Sequence, residues 1–313
     1  MSAAEERFLV TGALGCIGAW SCAQLVREDV PVVVYDLGTN MDRLQLVMSA
    51  DELDRLTIIR GDVTDLEQLE RTIVNHKITR IVHLAAMLLP LVKADPPRGA
   101  SVNVVGTTNV FEAAKRHGVR GVAYASSAAV YGPGAGPAVD DAGGPMTLYG
   151  VFKLANEGTA RVFFEDEGVG SVGLRPYVVY GPGRDHGLTA DPTLAMIAAA
   201  KGEPYAMRWG GRTQLQYAAD AARIFIAAAR AEHDGAAVFN LGGASSHMAD
   251  VVDAIEVAAP EMSGRITFED VQLPFPEEME SGGLEDVVGP TPRTSLADGT
   301  RETIEHYRTR VVA

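Results

Sequence analysis

The chain has 313 residues, enough for one large α/β unit with a smaller lobe, and its 47% hydrophobic and 22% charged content is that of a globular enzyme. A formal net charge of -14 argues against nucleic acid or an anionic membrane as partner, and it obliges any anionic substrate to find a local cationic pocket. The opening Ser2-Ala-Ala-Glu-Glu has no apolar leader, and no run approaches the ~20 apolar residues of a membrane span, so a cytoplasmic setting is expected. Cys16 and Cys22 stand six residues apart on one expected helix, facing different ways, so no disulfide is expected; neither they nor the seven histidines form a metal-ligand pattern.

The first element is a short apolar strand at Phe8–Val10. It runs into the turn Gly12-Ala-Leu-Gly15-Cys16-Ile17-Gly18 and then into a helical pattern through Val26. Strand, glycine turn and helix in that order bring backbone amides to a pyrophosphate at a helix N-terminus, the first half of a dinucleotide-binding unit. A second strand, Val32–Tyr35, ends in Asp36, eighteen residues after Gly18. A carboxylate there can accept hydrogen bonds from ribose hydroxyls and would repel a 2′-phosphate, which predicts NAD as cofactor in preference to NADP.

Further strands are expected at Leu56–Ile59, Arg80–Leu84, Gly121–Ala125 and Ser171–Leu174, separated by helices at Leu66–Val74, Val102–Arg116 and Leu148–Glu165. Such alternation predicts an α/β fold with a Rossmann-type, doubly wound parallel sheet over residues 1–183. Beyond Gly183 the pattern becomes mixed. Helices are expected near Thr193–Ala200, Tyr217–Arg230, Met248–Ala258 and Leu296–Arg308, with strands near Ala237–Leu241 and Ile266–Glu269 and a further short segment at Tyr205–Trp209. Residues 184–313 therefore read mainly as a smaller, mixed α/β C-terminal substrate lobe interwoven with the first unit. Pro274 to Pro292, rich in Pro, Gly and Glu, reads as a surface excursion.

Within the third helix, Tyr149 and Lys153 lie four residues apart, hence on one face about a turn apart. An ammonium beside a phenol favours the phenolate and lowers its pKa. A tyrosine tuned in this way can take a proton from a secondary alcohol or return one to a ketone. Leu148, Phe152 and Ala155 form an apolar stripe on the same helix, expected to face the core or a second copy of the chain.

Together these motifs resemble the extended short-chain dehydrogenases/reductases, the NAD-dependent epimerase/dehydratase superfamily. The likeness is carried by Thr11-Gly-Ala-Leu-Gly-Cys-Ile-Gly18, Gly61-Asp62-Val63, His83-Leu84-Ala85-Ala86, Ser126-Ser127-Ala-Ala-Val-Tyr-Gly132, Tyr149-Gly-Val-Phe-Lys153 and Arg175-Pro-Tyr-Val-Val-Tyr-Gly-Pro182. The resemblance implies Ser127, Tyr149 and Lys153 as catalytic residues. It implies a cofactor site made by Gly12, Gly15, Cys16, Ile17, Gly18, Asp36, Asp62, Val63, Leu84, Ala85, Ala86, Asn103, Tyr149, Lys153, Pro176 and Val178. Substrate contacts are expected from Met87, Ser127 and Ala128, with Arg184 and Arg208 as local positive charge. A homodimer is implied as well.

Departures from the family pattern narrow the expected chemistry. Ala128-Ala129 follows Ser127 where family dehydratases carry an acid, which argues against elimination of water. Val178 and Thr213 stand where sugar-nucleotide epimerases commonly hold an asparagine and an arginine for the substrate's phosphates, and Arg212 is one place out of register. The main expectation is therefore an NAD-dependent oxidoreductase acting on a secondary alcohol of a sugar, sugar acid or similar small polar substrate. The alternative is a nucleotide-sugar epimerase, such as a UDP-sugar 4-epimerase. Several motifs are also similar to the short-chain-type L-threonine dehydrogenases, a hint of simple dehydrogenation. A non-catalytic NAD-sensing regulator fits less well, because such relatives lose the Tyr or the Lys that this chain keeps.

Overall fold

The computed structural model describes residues 6–311. Twelve strands occur among them: β1 Phe8–Thr11, β2 Val32–Asp36, β3 Thr57–Arg60, β4 Arg80–His83, β5 Gly121–Ala125, β6 Ser171–Arg175, β7 Val178–Tyr180, β8 Tyr205–Met207, β9 Arg212–Tyr217, β10 Ala236–Asn240, β11 Ala244–His247 and β12 Ile266–Phe268. Seven of them form one parallel sheet in the order β10-β6-β5-β4-β1-β2-β3. The strand order reverses on either side of β1, so a crevice opens beyond the C-terminal ends of β1 and β4. The strands β1, β2 and β4 are buried by helices on both faces, as parallel sheets require, while the edge strand β3 is largely exposed.

The seventh strand was expected in the sequence but not its place. Strand β10 joins the main sheet beside β6, and the helix Ala218–Arg230 packs on the first helix, Cys16–Arg27. The second half of the chain thus returns to complete the first unit. What remains beyond residue 183 joins β7 to form the lobe: a three-stranded sheet β11-β9-β7, a parallel pair β12-β8 and their helices. A separate apolar core that includes Met196, Trp209, Met248 and Ile304 holds it together.

Two local readings change. The stripe Leu148, Phe152 and Ala155 does not face the core: Leu148 and Ala155 are exposed and Phe152 is half-buried. The helix Leu148–Glu167 instead buries Gly150, Lys153, Asn156, Glu157 and Ala160, a face whose Lys153 and Glu157 find partners at the ends of β5 and β6. The segment 274–292 is more than an excursion, since Met279 and Leu284 are buried and Phe275 packs edge-on against Tyr177 at 5.8 Å. Among the described residues no helix is long and apolar enough to cross a membrane.

Candidate active site

A cavity of about 550 Å³ lies along the C-terminal edge of the main sheet, between that edge and the lobe. Its floor begins at the glycine turn. Gly12 has φ +67°, and a Cβ there would lie 2.6 Å from the Ala85 backbone nitrogen, so only glycine lets the turn pass under the end of β4. The helix that follows, Cys16–Arg27, starts at Gly15 without a side-chain cap, leaving its first amides for a ligand. Asp36 stands at the end of β2, where its carboxylate accepts from the amides of Leu14 at 3.0 Å and Gly38 at 2.9 Å. Asp62 accepts from Arg98 at 2.6 Å; although burial opposes it, hydrogen bonds from Thr64 and Arg98 hold its carboxyl below the usual range. An open helix N-terminus over a glycine cradle, with carboxylates beyond it, suits a dinucleotide.

The residues expected to be catalytic meet where β5 ends. Thr147 caps the helix Leu148–Glu167 by accepting from the Gly150 amide at 3.1 Å. Gly150 rests on the short turn Ala128–Val130; a Cβ there would fall 2.1 Å from the Ala129 carbonyl. That close approach brings Tyr149 to Ser127. Burial raises the Tyr149 phenol above its ordinary value, while a hydrogen bond with Ser127 and the charge of Arg184 oppose the rise. The expected lowering by Lys153 is not what the geometry provides. Lys153 lies 5.7 Å from the centre of the Tyr149 ring and donates from Nζ to the Ala125 carbonyl at 2.7 Å. Burial takes its own pKa down to about 8, opposed by the nearby Glu157 carboxylate.

Sequence reasoning missed the network beneath these residues. Glu157, one turn after Lys153, forms a buried two-armed ion pair with Arg175 on β6, at 2.8 Å on each arm. Ser126 donates to the same carboxylate, which separates the two adjacent serines: Ser126 braces Glu157 and Ser127 faces Tyr149. Arg175 also donates to the Tyr131 hydroxyl at 3.0 Å and the Val139 carbonyl at 2.8 Å, and Asn240 on β10 closes the network through Tyr131. The signal available in the sequence was a glutamate at i+4 from the lysine.

The cavity brings together most of the expected residues: Gly12, Gly15, Cys16, Ile17, Gly18, Asp36, Asp62, Val63, Leu84, Ala85, Ala86, Met87, Ser127, Ala128, Tyr149, Lys153, Pro176 and Arg184 all line it. Three do not. Asn103 is buried on a π-helical turn, Ser101–Val105, and makes two hydrogen bonds to the backbone of Met87, at 2.7 and 3.0 Å, so it shapes the wall from behind. Val178 is fully buried, and its neighbour Val179 lines the cavity instead. Arg208 lies outside the lining; its amide and side chain are bound by Asp191, which is wholly buried. Unforeseen members of the wall include Arg43, Leu88, Tyr177, Leu188, Thr189 and Phe275.

A short-chain dehydrogenase/reductase site is defined by this sheet order, glycine turn and Ser–Tyr–Lys arrangement. The NAD dependent epimerase/dehydratase family model matches residues 8–242, and the chain belongs to that family; it is an NAD-dependent enzyme of the extended short-chain type. It is 29% identical to the UDP-glucose 4-epimerase of Mycolicibacterium smegmatis over 97% of this chain and 99% of that protein. Among solved structures it is similar to MoeE5 in complex with UDP-glucose and NAD, at 28% identity and TM-score 0.78, covering 98% of this chain and 100% of that one. It also resembles the Thermus thermophilus UDP-glucose 4-epimerase in complex with NAD, at 25% identity and TM-score 0.79, over 96% and 99% of the two chains.

Proposed function

We propose that this enzyme inverts the configuration of a secondary alcohol on a sugar nucleotide, by oxidising the alcohol and reducing the ketone from the opposite face. The end-to-end likeness to a UDP-glucose 4-epimerase carries this reading, and it favours the epimerase alternative over the net oxidation that the sequence suggested. Bound NAD supplies the hydride acceptor and, in turn, the hydride donor. Tyr149 accepts the alcohol proton and later returns it, and Ser127 orients the substrate oxygen by hydrogen bonding. Lys153, a cation below about pH 8, keeps positive charge near the phenol and would donate to the cofactor's ribose. Gly12, Gly15 and Gly18 receive the pyrophosphate, and Asp36 and Asp62 the adenosine end.

One observation favours a second reading, net oxidation of a free sugar or sugar acid. Val178 and Thr213 are both fully buried, so neither offers a donor to a diphosphate. Incubating the purified enzyme with UDP-glucose, UDP-galactose, UDP-glucuronate and the corresponding free sugars separates the two. Epimer formation seen by NMR, with no net NADH, supports the first reading. NADH accumulating with free sugars alone replaces it with the second. The exposed Leu148 and Val151 on the catalytic helix, 48% and 44% accessible, suit helix pairing in a homodimer. Light scattering should then report twice the chain mass.

A further inference from the structure

Arginines are the cavity's main cationic supply, and all but one of them are spent. Arg43 is paired with Asp185 at 2.6 Å, and Arg98 with Asp62 at 2.6 Å. Among the described residues Arg184 is the lining arginine with no acidic partner: Nη2 donates only to the Thr189 hydroxyl, at 3.2 Å, and its buried Nε has no hydrogen-bond partner. Gly187 packs on the guanidinium, where a Cβ would lie 3.0 Å from Nη2, so the loop 184–189 is shaped around that group. Arg184 and Tyr149 line the same cavity, and the guanidinium's charge opposes the burial that raises the Tyr149 phenol. Much of the remaining wall is apolar, with Met87, Leu88, Leu188 and Phe275 contributing.

An unpaired guanidinium against such a wall is costly to leave unmatched and is a strong donor to an incoming anion. A diphosphate needs several such donors, whereas a single planar fork matches one carboxylate through two parallel hydrogen bonds. We propose that Arg184 binds a carboxylate on the sugar itself, making the preferred substrate a uronic-acid-type sugar whose acid group lies next to the alcohol handled by Tyr149. The inference rests on the alcohol chemistry assigned to Tyr149 above. Both a nucleotide-linked uronate and a free uronate present this chemistry.

Matched acid and neutral substrates test it: UDP-glucuronate against UDP-glucose, and free glucuronate and galacturonate against glucose and galactose, all with the NAD-loaded enzyme. The acid member of a pair should be preferred, and Arg184→Met should reduce the acid-over-neutral ratio of kcat/KM by about tenfold to a hundredfold, the range of one charge-assisted contact. Arg184→Lys should restore part of the ratio. The pair that responds identifies the source of the carboxylate. A neutral preference in the unmodified enzyme overturns the proposal. So does an equal loss across all substrates traced to weaker NAD binding, which would assign Arg184 to the cofactor. Absence of turnover with every sugar would instead overturn the alcohol chemistry. Calorimetric titration of the NAD-loaded protein with UDP-glucuronate against UDP-glucose, and with free glucuronate and galacturonate against glucose and galactose, then decides the arginine's role. Acid-specific binding that disappears in Arg184→Met upholds it, and no acid-specific binding refutes it.

Discussion

The cofactor half and the substrate lobe spend their polar residues in opposite ways. In the first, the site is made from backbone amides and short side chains at strand ends, as at Gly12, Asp36 and Ser127, all open to the cavity. In the lobe, several polar side chains are tied to the lobe's own backbone and acids. Gln214 is bonded to Gly243 and Met279, Gln216 to Tyr177 and Gly242, and Arg208 to Asp191. On the reading proposed above, cofactor recognition would rest on the turn itself, and substrate recognition on the lobe residues left uncommitted.

The sharpest way to break this contrast is Tyr149→Phe. If chemistry belongs to the cofactor half, turnover should fall by about a thousandfold, the scale of general acid–base catalysis, while NAD titration by fluorescence changes little. Retention of most activity would sink the assignment.

Stability offers the next comparison. Glu157→Gln leaves the buried Arg175 charge unmatched and should cost about 3–5 kcal/mol in denaturant unfolding. Asp191→Asn should cost only roughly 1 kcal/mol, because the Arg208 side chain it releases is 60% exposed and can turn to water. Equal losses would show that both halves depend on their ion pairs alike. Glu157→Gln also removes the charge that supports protonated Lys153, so an alkaline limb near pH 8 in the rate profile should move to lower pH.

Acid should act on the cofactor half through His83. It is held between the Thr11 and Thr107 hydroxyls, at 2.7 and 3.0 Å, and burial pushes its pKa down to about 3. Below the ordinary value near 6.5 the unfolded chain binds a proton that the folded one refuses. Stability from this group is complete above pH 6.5 and falls as the pH drops toward 3, by at most about 1.4 kcal/mol per pH unit. Melting temperatures across that window should show the slope, and His83→Asn should flatten it.

The smallest expected effect is at Asp36. The enzyme should prefer NAD to NADP by at least about tenfold in kcat/KM, about 1.4 kcal/mol, and Asp36→Ala should erode that preference. Equal use of both cofactors by the unmodified enzyme would show that some other residue sets the selectivity.

How far the sequence could be read follows the same division. The glycine turn, the acid after β2 and the Tyr149–Lys153 pair are short-range patterns, and the chain needs only a few residues to place each. The partners of Arg175 come from residues 131, 139 and 157, and no local pattern announces a pair made across the sheet edge. On β9, Arg212 is exposed while Thr213 is fully buried, so a shift of one residue separates a surface charge from a core hydroxyl. Arg208 looked like an available cation until its acid, seventeen residues earlier, was found beneath it. Phe275 was hidden by the Pro- and Gly-rich composition around it.

Residues 183–186 line the cleft, and the segment 182–186 is tied down from several elements. Trp20 donates to the Pro182 carbonyl at 2.9 Å, the Gly183 amide donates to Tyr307 at 3.0 Å, and Arg43 reaches Asp185 and His186 from beyond the other strand end. A wall segment with this many fastenings is expected to slow the exchange of a ligand held against it. A catalyst that hands back its hydride need never release the coenzyme, and a long residence time costs it nothing. One that ends each cycle with reduced coenzyme must release it every time. The same clasp is thus neutral for inversion and a brake on net oxidation.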